Sequence, residues 1–253
     1  MPTGRIDVHA HLLPGIDDGC HTLDDSLRCA RTYVEHGYSH VCCTPHVWPS
    51  LQENTVANIR RRTIALQQEL QNAGIPLTLI PGGEINLEWN WPAIREKKTD
   101  EIVTYGLSGA YVLFDFWADV MPDFLGPATA HLQSLGLKLI MAHPERIKAI
   151  QGDPASTDRF IEQGILLQCN TWCLREPVGT PIRTISERLL RAGKYHLLGT
   201  DLHEPATMPP RMEGLRMAID MIGEEAVSRL TIENPRRLIA NIDHPLTPQP
   251  APH

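Results

Sequence analysis

Histidines and carboxylates recur along this 253-residue chain in a pattern that chemistry explains better than packing does. His9 and His11 form a His-x-His pair and Asp18 follows them. His46 stands in Thr44-Pro45-His46, Glu84 in Gly82-Gly83-Glu84, and Asp115 after Tyr111-Val112-Leu113-Phe114. His143 opens His143-Pro144-Glu145-Arg146, and Asp201 with His203 forms Asp-x-His. Imidazole nitrogens mixed with carboxylate oxygens suit Mn²⁺, Fe²⁺ or Zn²⁺, whereas Ca²⁺ prefers an all-oxygen cage. Side chains of an extended segment alternate with period two, so His-x-His aims both rings at one ion. Asp-x-His does the same from another segment. These nine candidates exceed what one ion can take, which points to two or three ions sharing bridging carboxylates.

The elements that must position them are short apolar runs alternating with helical patterns. The runs are Ile6–His9, His40–Thr44, Pro76–Ile80, Tyr111–Phe114, Lys138–Met141, Ile165–Cys169 and His196–Leu198. Helical spacing is expected over Leu23–Glu35, Thr55–Asn72, Phe124–Ser134, Thr157–Gln163, Pro181–Arg191, Pro210–Ile222, Glu224–Leu230 and Asn234–Ile239. Several of these helices are followed by glycine, a common helix stop. Strand and helix in alternation indicate a parallel α/β fold, and seven strand candidates suit a closed barrel better than a small open sheet. An open doubly wound sheet is the alternative, but no Gly-x-Gly-x-x-Gly follows the first strand, which disfavours a dinucleotide site. The candidate ligands fall after six of the strands, at the end where barrels carry their chemistry. His21, His36, His40, His131, His196, His244 and His253 lie outside the pattern and read as structural or surface residues. His21 is the nearest to an exception, because it lies in the first loop.

Bulk properties narrow the field further. With 42% hydrophobic and 21% charged residues the composition is that of a globular domain, expected as one unit over residues 1–244 with a loose Pro-rich tail at 245–253. A net charge of −7 argues against a nucleic-acid surface, which needs clustered Lys and Arg. No run of 18 apolar residues suggests a membrane span, and no signal-peptide core is visible, so a cytoplasmic location is expected. The six cysteines are expected to be free thiols, with adjacent Cys42 and Cys43 on opposite faces of a strand.

The run Ile6-Asp7-Val8-His9-Ala10-His11-Leu12-Leu13-Pro14-Gly15-Ile16-Asp17-Asp18-Gly19 resembles the opening of bacterial PHP-domain protein-tyrosine phosphatases, the manganese-dependent enzymes of capsular and exopolysaccharide operons. The resemblance continues in order through Thr44-Pro45-His46, Gly83-Glu84-Ile85, His143-Pro144-Glu145-Arg146, Asp201-Leu202-His203 and Asn234-Pro235-Arg236-Arg237-Leu238. It implies a distorted (β/α)7 TIM-like barrel, the PHP fold, holding Mn²⁺ first and Fe²⁺ or Zn²⁺ as alternatives. One ion would be held by His9, His11, Glu84 and Asp201, a second by Glu84, Asp115 and His143, and a third by Asp18, His46 and His203. It also implies a phosphotyrosyl protein as substrate, a bacterial tyrosine kinase among the possible partners. Three positions depart from the family pattern. Asp115 stands where Glu is usual, Glu204 where Asn is usual, and Met208 near a usual Arg, for which Arg211 is a displaced substitute.

Clustered divalent ions address the main barrier to phosphate monoester hydrolysis, the repulsion between anion and nucleophile. The expected reaction is in-line attack by a metal-bound hydroxide. Arg146 is the candidate to grip phosphate oxygens through its planar fork, with a structural salt bridge as the rival role. His46, His203 or a metal-bound water is the candidate to protonate the leaving group, and the sequence does not choose among them. Cys169-Asn170-Thr171-Trp172-Cys173-Leu174-Arg175 fits the Cys-x5-Arg spacing of cysteine phosphatases, but it lacks the glycines such a loop needs. Histidinol-phosphate or another small phosphoester is an alternative substrate, and an inactive metal-binding scaffold a further alternative. Trp48, Trp89, Trp91, Trp117 and Trp172 lie in loops after strands two, three, four and six, and either rim the pocket to stack on an aromatic substrate or pack over the barrel.

Overall fold

The computed structural model describes residues 4–240. The expected tail at 245–253, with His244 and His253, lies outside the described residues. Nine strands alternate with ten α-helices among the described residues. The strands are β1 (Arg5–Ala10), β2 (Tyr38–Cys43), β3 (His46–Val47), β4 (Thr78–Pro81), β5 (Glu84–Asn86), β6 (Tyr111–Asp115), β7 (Lys138–Ala142), β8 (Leu166–Asn170) and β9 (Leu197–Gly199). The helices are α1 (Leu23–Glu35), α2 (Val56–Asn72), α3 (Leu87–Ile94), α4 (Leu125–Ser134), α5 (Lys148–Gly152), α6 (Ser156–Glu162), α7 (Pro181–Arg191), α8 (Met208–Ile222), α9 (Glu224–Ser228) and α10 (Asn234–Ile239).

Local signals explain the helices. Thr22 caps α1 by accepting from the Asp25 N–H, and the Asp25 carboxylate accepts in return from the Thr22 N–H, a reciprocal box that satisfies two end donors. The helix then buries Ser26, Cys29, Ala30 and Tyr33, one face at helical spacing. Gly37 follows at φ 79°, a left-handed conformation that glycine adopts without steric cost. In α2, Thr55 caps the start, and Ile59, Thr63, Leu66, Gln67 and Leu70 form the buried stripe. Pro181 opens α7 directly after its cap Thr180, where a missing N–H costs nothing.

All strand pairs are parallel. They fall into one sheet ordered β1-β2-β4 and another ordered β3-β5-β6-β7-β8-β9. Pro45 separates β2 from β3, and Gly82-Gly83 separates β4 from β5. Two of the seven expected strands, His40–Thr44 and Pro76–Ile80, are therefore each followed by a further short strand that was not expected, and the chain itself carries one sheet into the other. At the far side, Asp201 N–H donates to the His9 carbonyl (2.8 Å) and His11 N–H to the Leu202 carbonyl (2.8 Å). A single parallel bridge, Ala10 with Leu202, joins the two ends there. The expected barrel is thus present as seven parallel strand positions with a seam of one bridge rather than a full ladder.

The interior has the composition of a barrel core. Val8, Cys42, Ile80, Leu113, Ile140, Ala142 and Leu197, one or two from each of six strands, pack into one cluster, with Leu166 of β8 against it. Tyr105 joins them and donates its hydroxyl to the Val8 carbonyl (2.7 Å). The larger cluster lies between strands and helices. Cys42 belongs to the inner cluster and Cys43 to the outer, as alternation requires. All six cysteines are free and buried. No helix among the described residues is long and apolar enough to cross a membrane.

Candidate metal centre

Because every strand is parallel, their C-terminal ends share one side of the molecule, and the candidate ligands gather there. The register of β1 against β2 is irregular between Asp7 and Ala10, a kind of distortion that re-aims side chains at a strand end. His9 and His11 consequently meet: their Nε2 atoms lie 3.3 Å apart. Around the pair stand Glu84 Oε2, 3.3 Å from His9 Nε2 and 3.6 Å from His11 Nε2, and Asp201 Oδ1, at 3.5 and 3.4 Å.

Each ring is oriented from behind. His9 Nδ1 donates to Gln168 Oε1 (2.9 Å) and His11 Nδ1 to Asp17 Oδ2 (2.8 Å). Both Nε2 lone pairs then face inward, as second-layer partners of metal-binding histidines arrange them. Two such lone pairs at this separation repel unless a cation lies between them. Gln168 donates in turn to Asn170 Oδ1 (2.9 Å), and Asn170 donates to Asp201 Oδ2 (2.8 Å). Asp17 also accepts from the backbone N–H groups of His46 (2.9 Å) and Gly19 (3.0 Å).

Two further groups adjoin the first. Glu84 Oε1 lies 2.8 Å from His143 Nε2, and ligand atoms of Glu84, Asp115 and His143 all fall within 4.8 Å of one another. Asp18, His46, His203 and His11 form another group within the same limit. Asp18 Oδ1 stands 3.3 Å from His46 Nε2 and 3.5 Å from His203 Nε2. All nine predicted ligands thus converge, with Glu84 and His11 shared between groups, whereas His21 is exposed and belongs to none. Seven of them (Asp18, His46, Glu84, Asp115, His143, Asp201 and His203) line a cavity of about 250 Å³, with His9 and His11 buried among them.

The donor set fits divalent cations. Glu84 Oε2, Asp115 Oδ1, His46 Nδ1 and His143 Nδ1 are buried without a hydrogen-bond partner, although His46 Nδ1 and Glu84 Oε2 approach to 2.9 Å. Orphaned buried polar atoms are costly, and atoms crowded without alignment are what ligands of a shared ion look like. Electrostatics agree. Burial works against a charged His9, yet Glu84 and Asp201 outweigh it and lift its pKa to about 9. Burial and then the neighbouring Glu84 charge raise Asp115 to about 8. Glu84 and Asp201 thus set negative charge around the His9 ring, and such a field attracts a cation.

Two ligands sit on left-handed backbone, His143 at φ 34° and Asp201 at φ 53°. Such conformations cost non-glycine residues free energy and concentrate at functional sites. Arg211 supports the second: its guanidinium donates to the carbonyls of Asp201 (2.6 Å), Thr200 (2.8 Å) and Thr207 (2.8 Å). Its named bonds go to backbone, so Arg211 positions Asp201 as well as lining the cavity. Asp7 secures the same turn, accepting from the Thr200 N–H (3.0 Å) and the His9 N–H (3.1 Å).

Arg146 donates from Nη1 to Asp201 Oδ2 (3.1 Å) and packs over the Trp172 ring at 5.6 Å. The salt bridge foreseen as its rival role is therefore made, while 39% of the side chain is exposed at the cavity. The Cys-x5-Arg segment does not form a phosphate loop. Cys169 is buried in β8 with its thiol pushed well up by burial, and Arg175 is paired with Glu213. Glu204 is exposed and Met208 buried.

Sequence reasoning missed Asp17, Gln168, Asn170 and the positioning role of Arg211. For Asp17 a signal existed: the Asp17-Asp18 doublet offered two carboxylates, and only the second was taken. Gln168 meets His9 across 159 residues of sequence, which no local pattern records.

Comparisons with known proteins agree with this geometry. The family model described as capsular polysaccharide synthesis, CpsB/CapC, matches residues 5–240. The tyrosine-protein phosphatase YwqE of Bacillus subtilis (strain 168) is 29% identical over 237 residues, 93% of this chain and 92% of that protein. The tyrosine-protein phosphatase CpsB of Streptococcus pneumoniae is 23% identical over 243 residues, covering 92% and 98%. A crystal structure from work on YwqE and CpsB as metal-dependent tyrosine phosphatases superposes with a TM-score of 0.79 at 27% identity, covering 92% of this chain and 94% of the other. On the match over nearly its whole length, this chain belongs to the CpsB/CapC family of capsular polysaccharide synthesis.

Proposed function

We propose that this chain is a metal-dependent protein-tyrosine phosphatase acting in capsular or exopolysaccharide synthesis. The observation that carries the proposal is the convergence of His9 Nε2, His11 Nε2, Glu84 Oε2 and Asp201 Oδ1 on one point, in a chain whose relatives bear that activity. His9, His11, Glu84 and Asp201 hold one ion, Glu84, Asp115 and His143 a second, and Asp18, His46 and His203 a third. Mn²⁺ is the first choice among Mn²⁺, Fe²⁺ and Zn²⁺. When bound, the ions set positive charge against the phosphoryl oxygens and lower the pKa of water.

The chain's own residues do the rest. Gln168 and Asp17 hold the His9 and His11 rings in the tautomer that presents Nε2. Arg146, anchored at one nitrogen by Asp201, turns its remaining N–H groups to the phosphoryl oxygens. The leaving group from phosphotyrosine is a phenolate of pKa about 10, so it needs less protonation than an alkoxide. His203 is the more open of the two candidate histidine proton donors, its side chain 24% exposed against 9% for His46, and it would serve only where its Nε2 is not engaged by an ion. The substrate is a phosphotyrosyl protein, with a tyrosine kinase of the same system as the partner.

Chelation followed by reloading with Mn²⁺, Fe²⁺ or Zn²⁺ tests the proposal, assayed on a phosphotyrosyl peptide, histidinol phosphate and a generic aryl phosphate. Activity is expected to vanish on chelation, to return best with Mn²⁺ and to favour the peptide. Turnover that survives verified metal removal would overturn the metal chemistry. Preference for histidinol phosphate would move the substrate, and no turnover with metals bound would leave a scaffold.

A further inference from the structure

Three tryptophans from three separate elements meet beside the metal cavity. Trp48 follows β3, Trp89 lies in α3 and Trp117 follows β6. Their rings pack edge to face in a closed triangle. Trp48 and Trp89 are 5.6 Å apart at 80°, Trp48 and Trp117 5.9 Å at 78°, and Trp89 and Trp117 5.1 Å at 72°. Mutual packing of this kind normally serves a core, but Trp89 is 42% and Trp117 48% exposed. Large aromatic surface left open in a rigid cluster is a usual mark of a binding site.

The cluster is fastened to the metal centre at two points. Trp48 stacks on His46 with centroids 4.0 Å apart at 22°, and Trp117 Nε1 donates to Asp115 Oδ2 at 2.7 Å. Trp117 also belongs to two cavities at once: the one that holds the ligands and a neighbouring space of about 410 Å³ bounded by Phe116 and Ile147. A ring carried on the bridging oxygen of a phosphate monoester, two bonds from phosphorus, would extend from the cavity of the candidate ligands toward the neighbouring space, and Trp117 lines both. An alkyl ester offers no such ring.

We propose that Trp117, buttressed by Trp89 and Trp48, is the wall that receives the aromatic ring of the substrate and makes this site select aryl over alkyl phosphates. The proposal rests on the phosphatase reading for its chemistry but not for its binding. An aromatic contact of this type contributes about 0.5–1.5 kcal/mol beyond its buried area, and 1.4 kcal/mol is about tenfold in affinity.

The test uses the Mn²⁺-loaded chain and two inert probes, phenylphosphonate and methylphosphonate, with binding measured by calorimetry. Hydrolysis of phenyl phosphate and ethyl phosphate is followed in parallel. Trp117→Gln keeps an N–H donor and removes the aromatic face; Trp117→Phe keeps the face and removes the donor to Asp115. We expect Trp117→Gln to lower the phenyl-to-methyl affinity ratio about five- to tenfold, and Trp117→Phe to change it less than about twofold. Trp89→Ala should lower it about two- to threefold through loss of the buttress. A wild-type ratio retained in both Trp117→Gln and Trp89→Ala would overturn the proposal. Phosphonate ratios that behave as expected, with neither ester turned over, would instead sink the phosphatase reading and leave the aromatic wall standing.

Discussion

Replacing Asp17 with Asn tests whether the metal centre depends on the layer behind its ligands. The Asp17 side chain is fully buried and accepts three hydrogen bonds, from His11 Nδ1 (2.8 Å), His46 N–H (2.9 Å) and Gly19 N–H (3.0 Å). Asn cannot keep all three. Its carbonyl oxygen can serve His11 and His46, but its amide then points N–H groups at the Gly19 N–H. The bonds that survive lose their charge assistance, about half their strength. Two bonds weakened in this way and one lost cost roughly 2–4 kcal/mol in total. The part that acts on the His11 ring appears as metal affinity, expected to fall about 10–100-fold, or about 1.4–2.8 kcal/mol. The part that acts on the loop appears in the metal-free protein as a melting temperature lower by about 2–6 °C. Competition for Mn²⁺ against an indicator chelator, beside thermal unfolding of both forms, separates the two. Asp18→Asn is the control. That side chain is 57% exposed and faces His46 and His203 directly, so it should remove one ion from the stoichiometry rather than weaken the His9–His11 site. Mn²⁺ affinity within twofold of wild type in Asp17→Asn, with unchanged melting, would refute the reasoning.

Other substitutions separate the remaining roles. In Gly19→Ala the new Cβ would overlap the His11 carbonyl oxygen and Cβ; calorimetry should show lower stability and metal analysis a loss of occupancy together. Arg146→Ala should lower kcat/KM on an aryl phosphate by about 10²–10³ with Mn²⁺ affinity changed less than about threefold, and Arg146→Lys should recover only part because a point charge lacks the fork; an equal fall in metal affinity would assign Arg146 to holding Asp201 instead. Cys169→Ser should keep full kcat while losing about 1–3 kcal/mol of stability in denaturant melts, since it buries a hydroxyl in place of a thiol; loss of turnover in a folded variant would revive the thiolate mechanism.

The candidate ligands were legible in sequence for a physical reason. A parallel strand reads as an apolar run, and His or Asp at its C-terminal end breaks that run visibly, as at His143 after Lys138–Ala142 or Asp201 after Leu197–Gly199. The period of two made the His9–His11 convergence predictable before any coordinate. What stayed hidden depends on contacts between distant segments. Gln168 looks like an ordinary polar residue inside a strand until the fold sets it against His9. Arg211 read as a displaced substitute for the arginine usual near Met208, but its place on α8 brings it under the Thr200–Asp201 turn. Helix α3 was also missed, because Leu87–Ile94 contains two tryptophans and Pro92 and shows little helical periodicity. That helix carries Trp89, so the edge-to-face packing of the three rings was hidden, although Trp48, Trp89 and Trp117 had each been read as candidates to rim the pocket.

The supports also bear on the Asp115 departure. Asp is one methylene shorter than Glu, so its carboxylate reaches less far into the centre. In this chain Trp117 Nε1 binds one Asp115 oxygen and leaves the other, Oδ1, buried without a partner. One oxygen is thereby fixed and the second is aimed, which limits the rotamer freedom a shorter side chain would otherwise spend on reaching Glu84 and His143. The same residue is 48% exposed and lines the cavity. A single residue two positions along the chain thus links Asp115 to the surface proposed to receive the substrate ring. Changes in metal affinity at Asp115 and changes in aryl preference at Trp117 should therefore be coupled rather than additive, as expected for groups in direct contact.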